Sequence, residues 1–159
     1  LMEQGIVYLK RNRLVELENQ LREIKTVERK DIAEKIAEAR SHGDLSENAE
    51  YDAAKEAQSH LEMKISKLEN LLSRVKILED EDIPEGVAYV LTEVTVLDIK
   101  NNEECTYTLV SPDEADFELD KISIVSPLGK AILGKKVGDI ASFDVASGTI
   151  KYKILQIKK

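Results

Sequence analysis

Residues 54–75 carry Ala54, Ala57, Leu61, Ile65, Leu68, Leu72 and Val75 at successive steps of three and four, the spacing of an a/d seam on a long helix. An upstream series, Leu14, Leu17, Leu21 and Ile24, then Ile32, Ile36 and Ala39, repeats that spacing with one irregularity near Thr26 to Lys30. Two such seams, separated by a short polar turn containing Gly43, bury each other only if the chain reverses. The expected element is therefore an antiparallel coiled-coil helical hairpin. At about 30 residues per arm and about 1.5 Å of rise per residue, each arm reaches roughly 45 Å. Small residues near the turn (Ala37, Ala39, Ala49, Ala53, Ala54 and Ala57) let the arms approach closely, so the far end is expected to be slim.

The pattern changes near Glu79. The stretch EDEDIPEG, with Pro84 and Gly86, reads as a helix stop followed by a linker. Beyond it, YVLTEVTVLDI and CTYTLVS are rich in β-branched residues and surround Lys100 to Glu103, which predicts a β-hairpin with a loop of three or four residues. KISIVSP, DIASFDV and TIKYKILQI add strands, and residues 127–133 read as a short helix. The fold class is α+β, with a helical hairpin over residues 1–80 and its tip at about 42–52. A linker over 81–86 leads to a β-rich domain over 87–159 that is expected to hold a small antiparallel sheet.

Composition narrows the function. Aromatics make up only 4% of the chain and Trp is absent, which disfavours both an aromatic-lined ligand pocket and base-stacking platforms. A net charge of −8 argues against general affinity for nucleic-acid backbone, although basic strips can still be segregated along an elongated hairpin. The single cysteine, Cys105, forms no internal disulfide and makes no zinc site by itself, so it reads as a strand residue in a reducing, cytoplasmic setting. No apolar run of about 18 residues is present and the first residues lack a secretory pattern, so the expectation is a protein without membrane contact that is not exported. Because the hairpin satisfies its own seam, a monomer is expected.

The turn itself, HGDLSENAEYDAAKE, carries five acids against one lysine. Three readings of so acidic a turn can be weighed. Asp44 and Glu47 match a capping box, with Asp44 capping the second helix and Glu47 reaching back to the cap's amide. The same two carboxylates are an incomplete ligand set for Mg²⁺, able to hold the ion well only if another protein supplies the remaining ligands. A carboxylate pair working as acid and base on its own substrate needs a water-excluding cleft, which a hairpin tip does not provide. His42 has no second histidine nearby and reads as a turn residue, while Glu50, Asp52 and Glu56 read as helix-surface charges.

The segment IAEARSHGDLSENAEYDAAKEAQ closely resembles the signature of bacterial Gre transcript cleavage factors, and KTVERKDI upstream is similar to the same family. A second match, DEADFELDKISIVSPLGKAILGKKVGD, is similar to the family's C-terminal domain, so the resemblance spans nearly the whole chain in the expected order. It implies an FKBP-like C-terminal domain that docks on bacterial RNA polymerase, and a coiled coil inserted through the secondary channel toward the active centre. There the two tip acids, Asp44 and Glu47, help hold a second Mg²⁺, and the polymerase itself hydrolyses the 3′ part of a backtracked RNA. The protein would be a cofactor for that cleavage and not a nuclease.

The resemblance extends to further positions. Leu45, Ser46, Asn48 and Tyr51 lie in the signature, with Tyr51 either positioning RNA or packing against the hairpin end. Arg40 and Lys55 flank the tip and are either ordinary solvated charges or, as the resemblance to the family's basic patch implies, contacts for nascent RNA within an elongation complex that also holds the DNA template. Ser126, Pro127, Leu128, Gly129 and Lys130, with Leu133 and Gly134, match the polymerase-docking region, their apolar members reading equally as core. An alternative within the same resemblance is a regulator that enters the channel without inducing cleavage. From a different class, a coiled-coil adaptor would use its acids only to cap a helix.

Overall fold

A computed structural model of the chain describes residues 5–43 and 48–159. The described residues form two compact units, one containing those up to Arg11 together with Val75–Lys159, the other Asn12–Arg74. These divisions differ from the expected hairpin of residues 1–80 and linker of 81–86. The difference arises from a short strand, β1 (Val7–Leu9), which pairs in parallel with β2 (Val75–Ile77). Val7 and Leu9 are buried, the Tyr8 amide donates to the Ser111 hydroxyl at 3.0 Å, and the Leu78 amide donates to the Leu9 carbonyl at 3.0 Å. Val75, expected at the end of the helical seam, is thus a strand residue. Residues 81–86 are also built into this unit: Glu79 and Asp82 form a reciprocal capping box over a short 3₁₀ turn, and Ile83 behind it is buried.

The helical unit contains α1 (Arg11–Glu23), a π-helical turn (Ile24–Glu28), α2 (Arg29–Arg40) and α3 (Ala49–Leu72). The π turn explains the irregularity in the seam. Leu14, Leu17, Leu21, Ile24 and Glu28 step by three and four, and the next seam residue falls at Ile32 where an unbroken heptad would place it at residue 31. One extra residue must be absorbed, and the Arg29 amide bonds back to the Ile24 carbonyl, five residues earlier, to absorb it. Ile36 and Ala39 are then buried in phase with the rest. On α3 the buried positions are Ala54, Leu61, Ile65 and Leu68. The slot between Ala54 and Leu61 is taken by half-buried Gln58, while Ala57, expected in the seam, is exposed.

In the other unit, five strands lie in the order β5-β4-β3-β7-β6, comprising β3 (Glu93–Asp98), β4 (Glu103–Val110), β5 (Lys121–Ser123), β6 (Ile140–Val145) and β7 (Gly148–Lys158). All pairs are antiparallel except β4 with β5, which run parallel, so the expected wholly antiparallel sheet is corrected at that edge. The hairpin loop after β3 has four residues, and the Asp98 carboxylate accepts the Lys100 and Asn101 amides at 3.1 and 3.3 Å to hold it. Cys105 is a half-buried residue of β4. Inward-facing Val94, Val96, Leu109, Ile122, Ala141 and Ile154 form the core with Ile132 of α4 (Pro127–Ile132). Among the described residues, no helix is long and apolar enough to cross a membrane.

Candidate functional site

Asp44, Leu45, Ser46 and Glu47 lie outside the described residues. Helix α3 starts at Ala49 and its N-cap is Asn48, whose Oδ1 accepts the Tyr51 amide at 3.0 Å. The expected capping box would have placed the cap at Asp44; the position belongs to Asn48, four residues later. Asn48 has a second task. Its side-chain amide donates to the Ala39 carbonyl at 2.6 Å, beside the His42 amide that the same carbonyl accepts at 3.2 Å in the last turn of α2. A single side chain therefore caps one helix and ties it to the end of the other.

Two further contacts cross between the arms. His42 Nδ1 lies 3.0 Å from Oε2 of Glu50, so the residue read as a plain turn position pairs with a carboxylate of the first turn of α3. The Arg40 guanidinium stands over the half-buried Tyr51 ring at 5.8 Å from its centroid. Lys55 is exposed and its ammonium donates to Gln58 at 2.9 Å. Gly43 adopts φ +106°, a left-handed conformation that glycine enters without a Cβ penalty as the chain leaves α2. Arg40, Asn48 and Tyr51 are thus brought together where the two arms end, while Lys55 lies nearly two turns into α3 and bonds to Gln58. Glu50 and Asp52, in the first turn of α3, also complement its dipole. The His42–Glu50 pair and the Ala39 carbonyl were not legible as partners, because neither belongs to a spacing rule across a loop.

Among the described residues no group of three or more His, Cys, Asp or Glu side chains is gathered to hold a metal ion. The expected ligands, Asp44 and Glu47, are outside that set. Their chemistry, two hard carboxylates, suits Mg²⁺ but falls short of its six oxygen ligands.

The second expected surface lies around α4. Ser126 caps this helix, accepting the Gly129 amide at 3.0 Å and donating to the Ser123 carbonyl at 2.6 Å. Gly129 is buried so tightly that a Cβ there would sit 1.9 Å from the Ser123 carbonyl oxygen. Leu128 packs on the sheet core. Pro127 and Lys130 are exposed, as are Leu133 and Gly134 just beyond the helix. Of this segment, Ser126, Leu128 and Gly129 have structural tasks in the fold, and Pro127, Lys130 and Leu133 form its outward face.

Residues 7–77 match the family described as transcription elongation factor, N-terminal, and residues 83–159 match that described as transcription elongation factor, GreA/GreB, C-term. The chain belongs to the GreA/GreB transcription elongation factor family. A transcription elongation factor GreA of Chloroherpeton thalassium (strain ATCC 35110 / GB-78) is 49% identical over 151 residues, covering 95% of this chain and 96% of the relative. That of Chlorobium phaeobacteroides (strain BS1) is 50% identical over 153 residues, with the same shares covered. The solved structure of GreA factor homolog 1 (Gfh1) protein of Thermus thermophilus is 30% identical, covers 98% of this chain and 100% of its own, and aligns with a TM-score of 0.44. As a GreA/GreB family member the chain is a bacterial-type transcription factor, and the N-terminal match takes in the helical unit together with β1 and β2, which belong to the other unit.

Proposed function

We propose that this chain binds bacterial RNA polymerase, inserts the hairpin tip through the secondary channel and stimulates the polymerase's own Mg²⁺-dependent cleavage of backtracked RNA. Family membership supports an elongation factor, and one observation favours the cleavage reading over a merely structural turn. Helix α3 is capped by Asn48, and the arms are tied by Asn48 to Ala39 and by His42 to Glu50. The acids Asp44 and Glu47 are therefore not needed to start α3. In this reading they lend two carboxylates to an ion whose other ligands come from the polymerase, and such an ion activates water and stabilises charge in phosphodiester hydrolysis. The chain's residues bind and position; the bond is broken in the partner's active site, and this protein alone is not a nuclease.

Arg40 and Lys55 supply cations beside the tip for RNA phosphate, while Tyr51 is held under Arg40. Docking on the polymerase falls to the outward face of α4, with Pro127 and Lys130 as contacts and Ser126, Leu128 and Gly129 shaping the helix. Release of 3′ RNA fragments from stalled, backtracked bacterial elongation complexes tests the reading. Wild type should release fragments only with Mg²⁺, and Asp44→Ala/Glu47→Ala should bind polymerase without releasing them. If neither protein releases fragments while both bind, the chain is a secondary-channel regulator without cleavage activity.

A further inference from the structure

The base of the helical unit carries an open groove of about 470 Å³ between α1 and α3. Leu17, Leu68 and Leu71 line it, and Met63, on the same wall, is 56% exposed. His60, Lys64 and Lys67 stand along its α3 side, and no acid lines it. In a chain with 31 acids against 23 lysines and arginines, an acid-free cationic wall over an apolar floor is a local exception. Lys64 and Lys67 make no ion pair among the described residues. No Phe, Tyr or Trp lines the groove to make a platform for nucleic-acid bases; the surface suits a protein segment that is apolar at its centre and acidic at its edge.

The other unit presents a surface of that chemistry. Phe117 is 88% exposed and Leu119 63% exposed, both on a one-turn 3₁₀ segment flanked by Asp116, Glu118 and Asp120. The turn is held in shape. Asp116 and Lys121 exchange both backbone hydrogen bonds at 3.0 Å, the Asp116 carboxylate accepts the Glu118 amide at 3.1 Å, and Asp120 closes the turn with φ 54°. An ordered turn displaying a phenylalanine to water loses little backbone entropy on binding.

We propose that the chain self-associates head to tail, with the Phe117 and Leu119 turn of one copy seated in the α1/α3 groove of another. Phe117 and Leu119 cover the apolar floor, and Asp116, Glu118 and Asp120 face Lys64, Lys67 and His60. The contact is heterologous, so it generates short open chains unless two copies exchange turns. A single turn in a single groove is a small contact edged with charge, so the association is weak, concentration-dependent and salt-sensitive. The inference stands apart from the transcript-cleavage reading, since it uses neither the tip nor α4.

Sedimentation velocity of the full chain, from low micromolar to near-millimolar concentration at low and high salt, tests it. Wild type should rise above the 17.9 kDa monomer with concentration and fall back as salt is added. Phe117→Ser/Leu119→Ser and Lys64→Glu/Lys67→Glu should each weaken association about tenfold or more, a loss of at least 1.4 kcal/mol. Mixing Lys64→Glu/Lys67→Glu with Glu118→Lys should restore it, which also shows that the variants are folded. A wild type that stays monomeric throughout, association that survives either double variant, or a mixture that fails to recover would each overturn the proposal, including the cases of an intramolecular contact or a different partner for the groove.

Discussion

The Asn48 side-chain amide lies 2.6 Å from the Ala39 carbonyl oxygen, while its own oxygen accepts the Tyr51 amide at 3.0 Å. One residue therefore ends α2 and begins α3. Replacing it by alanine removes an N-cap, worth about 1 kcal/mol, and one of the bonds to the Ala39 carbonyl, which keeps the His42 amide at 3.2 Å, for a combined loss of about 1–2 kcal/mol. Asn48→Asp keeps the acceptor but faces the Ala39 carbonyl with a carboxylate. Hydrogen exchange should show the Tyr51 amide deprotected in Asn48→Ala and largely protected in Asn48→Asp, with both variants melting below wild type.

The π turn at Ile24–Glu28 absorbs one residue, so removing one there should restore a continuous heptad. Deleting Val27, which is 49% exposed, leaves Leu17, Ile24, Ile36 and Ala39 facing α3 and is expected to shift the melting temperature by only a few degrees. Deleting Glu34 within α2 instead rotates Ile36 and Ala39 by about 100° out of the seam. Circular dichroism melts compare the two; equal destabilisation would mean that the turn is not a phase correction.

Arg29, which follows the π turn, grips Glu62 of α3 through two hydrogen bonds at 2.8 and 2.9 Å. The hydrogen bond from Arg29 holds the Glu62 carboxyl below its ordinary value of 4.5. A carboxyl depressed on folding stabilises the native state above its unfolded pKa, and that contribution is lost as pH falls through the lower folded value. The coupling of Arg29→Ala and Glu62→Ala in a double-mutant cycle should therefore be present at neutral pH, fade in acid only as the pH falls through the lowered folded pKa of Glu62, and shrink in high salt. Coupling that persists once Glu62 is protonated would contradict the assignment.

Gly129→Ala places a Cβ 1.9 Å from the Ser123 carbonyl oxygen, in a helix packed against the core. Backbone, not a flexible side chain, must yield, so the expected loss is about 3 kcal/mol or more by chemical denaturation. Lys130→Ala, on the exposed side, should leave stability within about 0.5 kcal/mol. If polymerase docking uses this helix, Lys130→Ala reduces binding at unchanged stability, which Gly129→Ala cannot do.

The seams of α2 and α3 were legible because burial follows a period that the sequence displays, and the break at Thr26 to Lys30 marked the π turn. The β3–β4 hairpin and α4 carried local turn and cap residues, among them Asp98, Ser126 and Pro127. Strand β1 carried no such signal. Its three residues are fixed by partners at Val75–Ile77 and at Ser111, far along the chain, and VYL ahead of a helix has no alternation to read. The parallel edge at β5 was hidden for the same reason, since a three-residue strand does not announce its direction. At the tip, DLSE satisfied a capping rule, but Asn48 satisfies it too and also reaches Ala39, a contact only tertiary structure supplies.

The most direct test of the central claim is the Mg²⁺ dependence of RNA cleavage in backtracked elongation complexes saturated with wild type, Asp44→Asn or Glu47→Gln. These substitutions keep size and polarity but remove the charge that holds a divalent ion. If the tip lends metal ligands, the midpoint should move to higher Mg²⁺ by about tenfold, equivalent to about 1.4 kcal/mol, with cleavage partly recovered at saturating ion. An unchanged midpoint with full cleavage in both variants would contradict the claim.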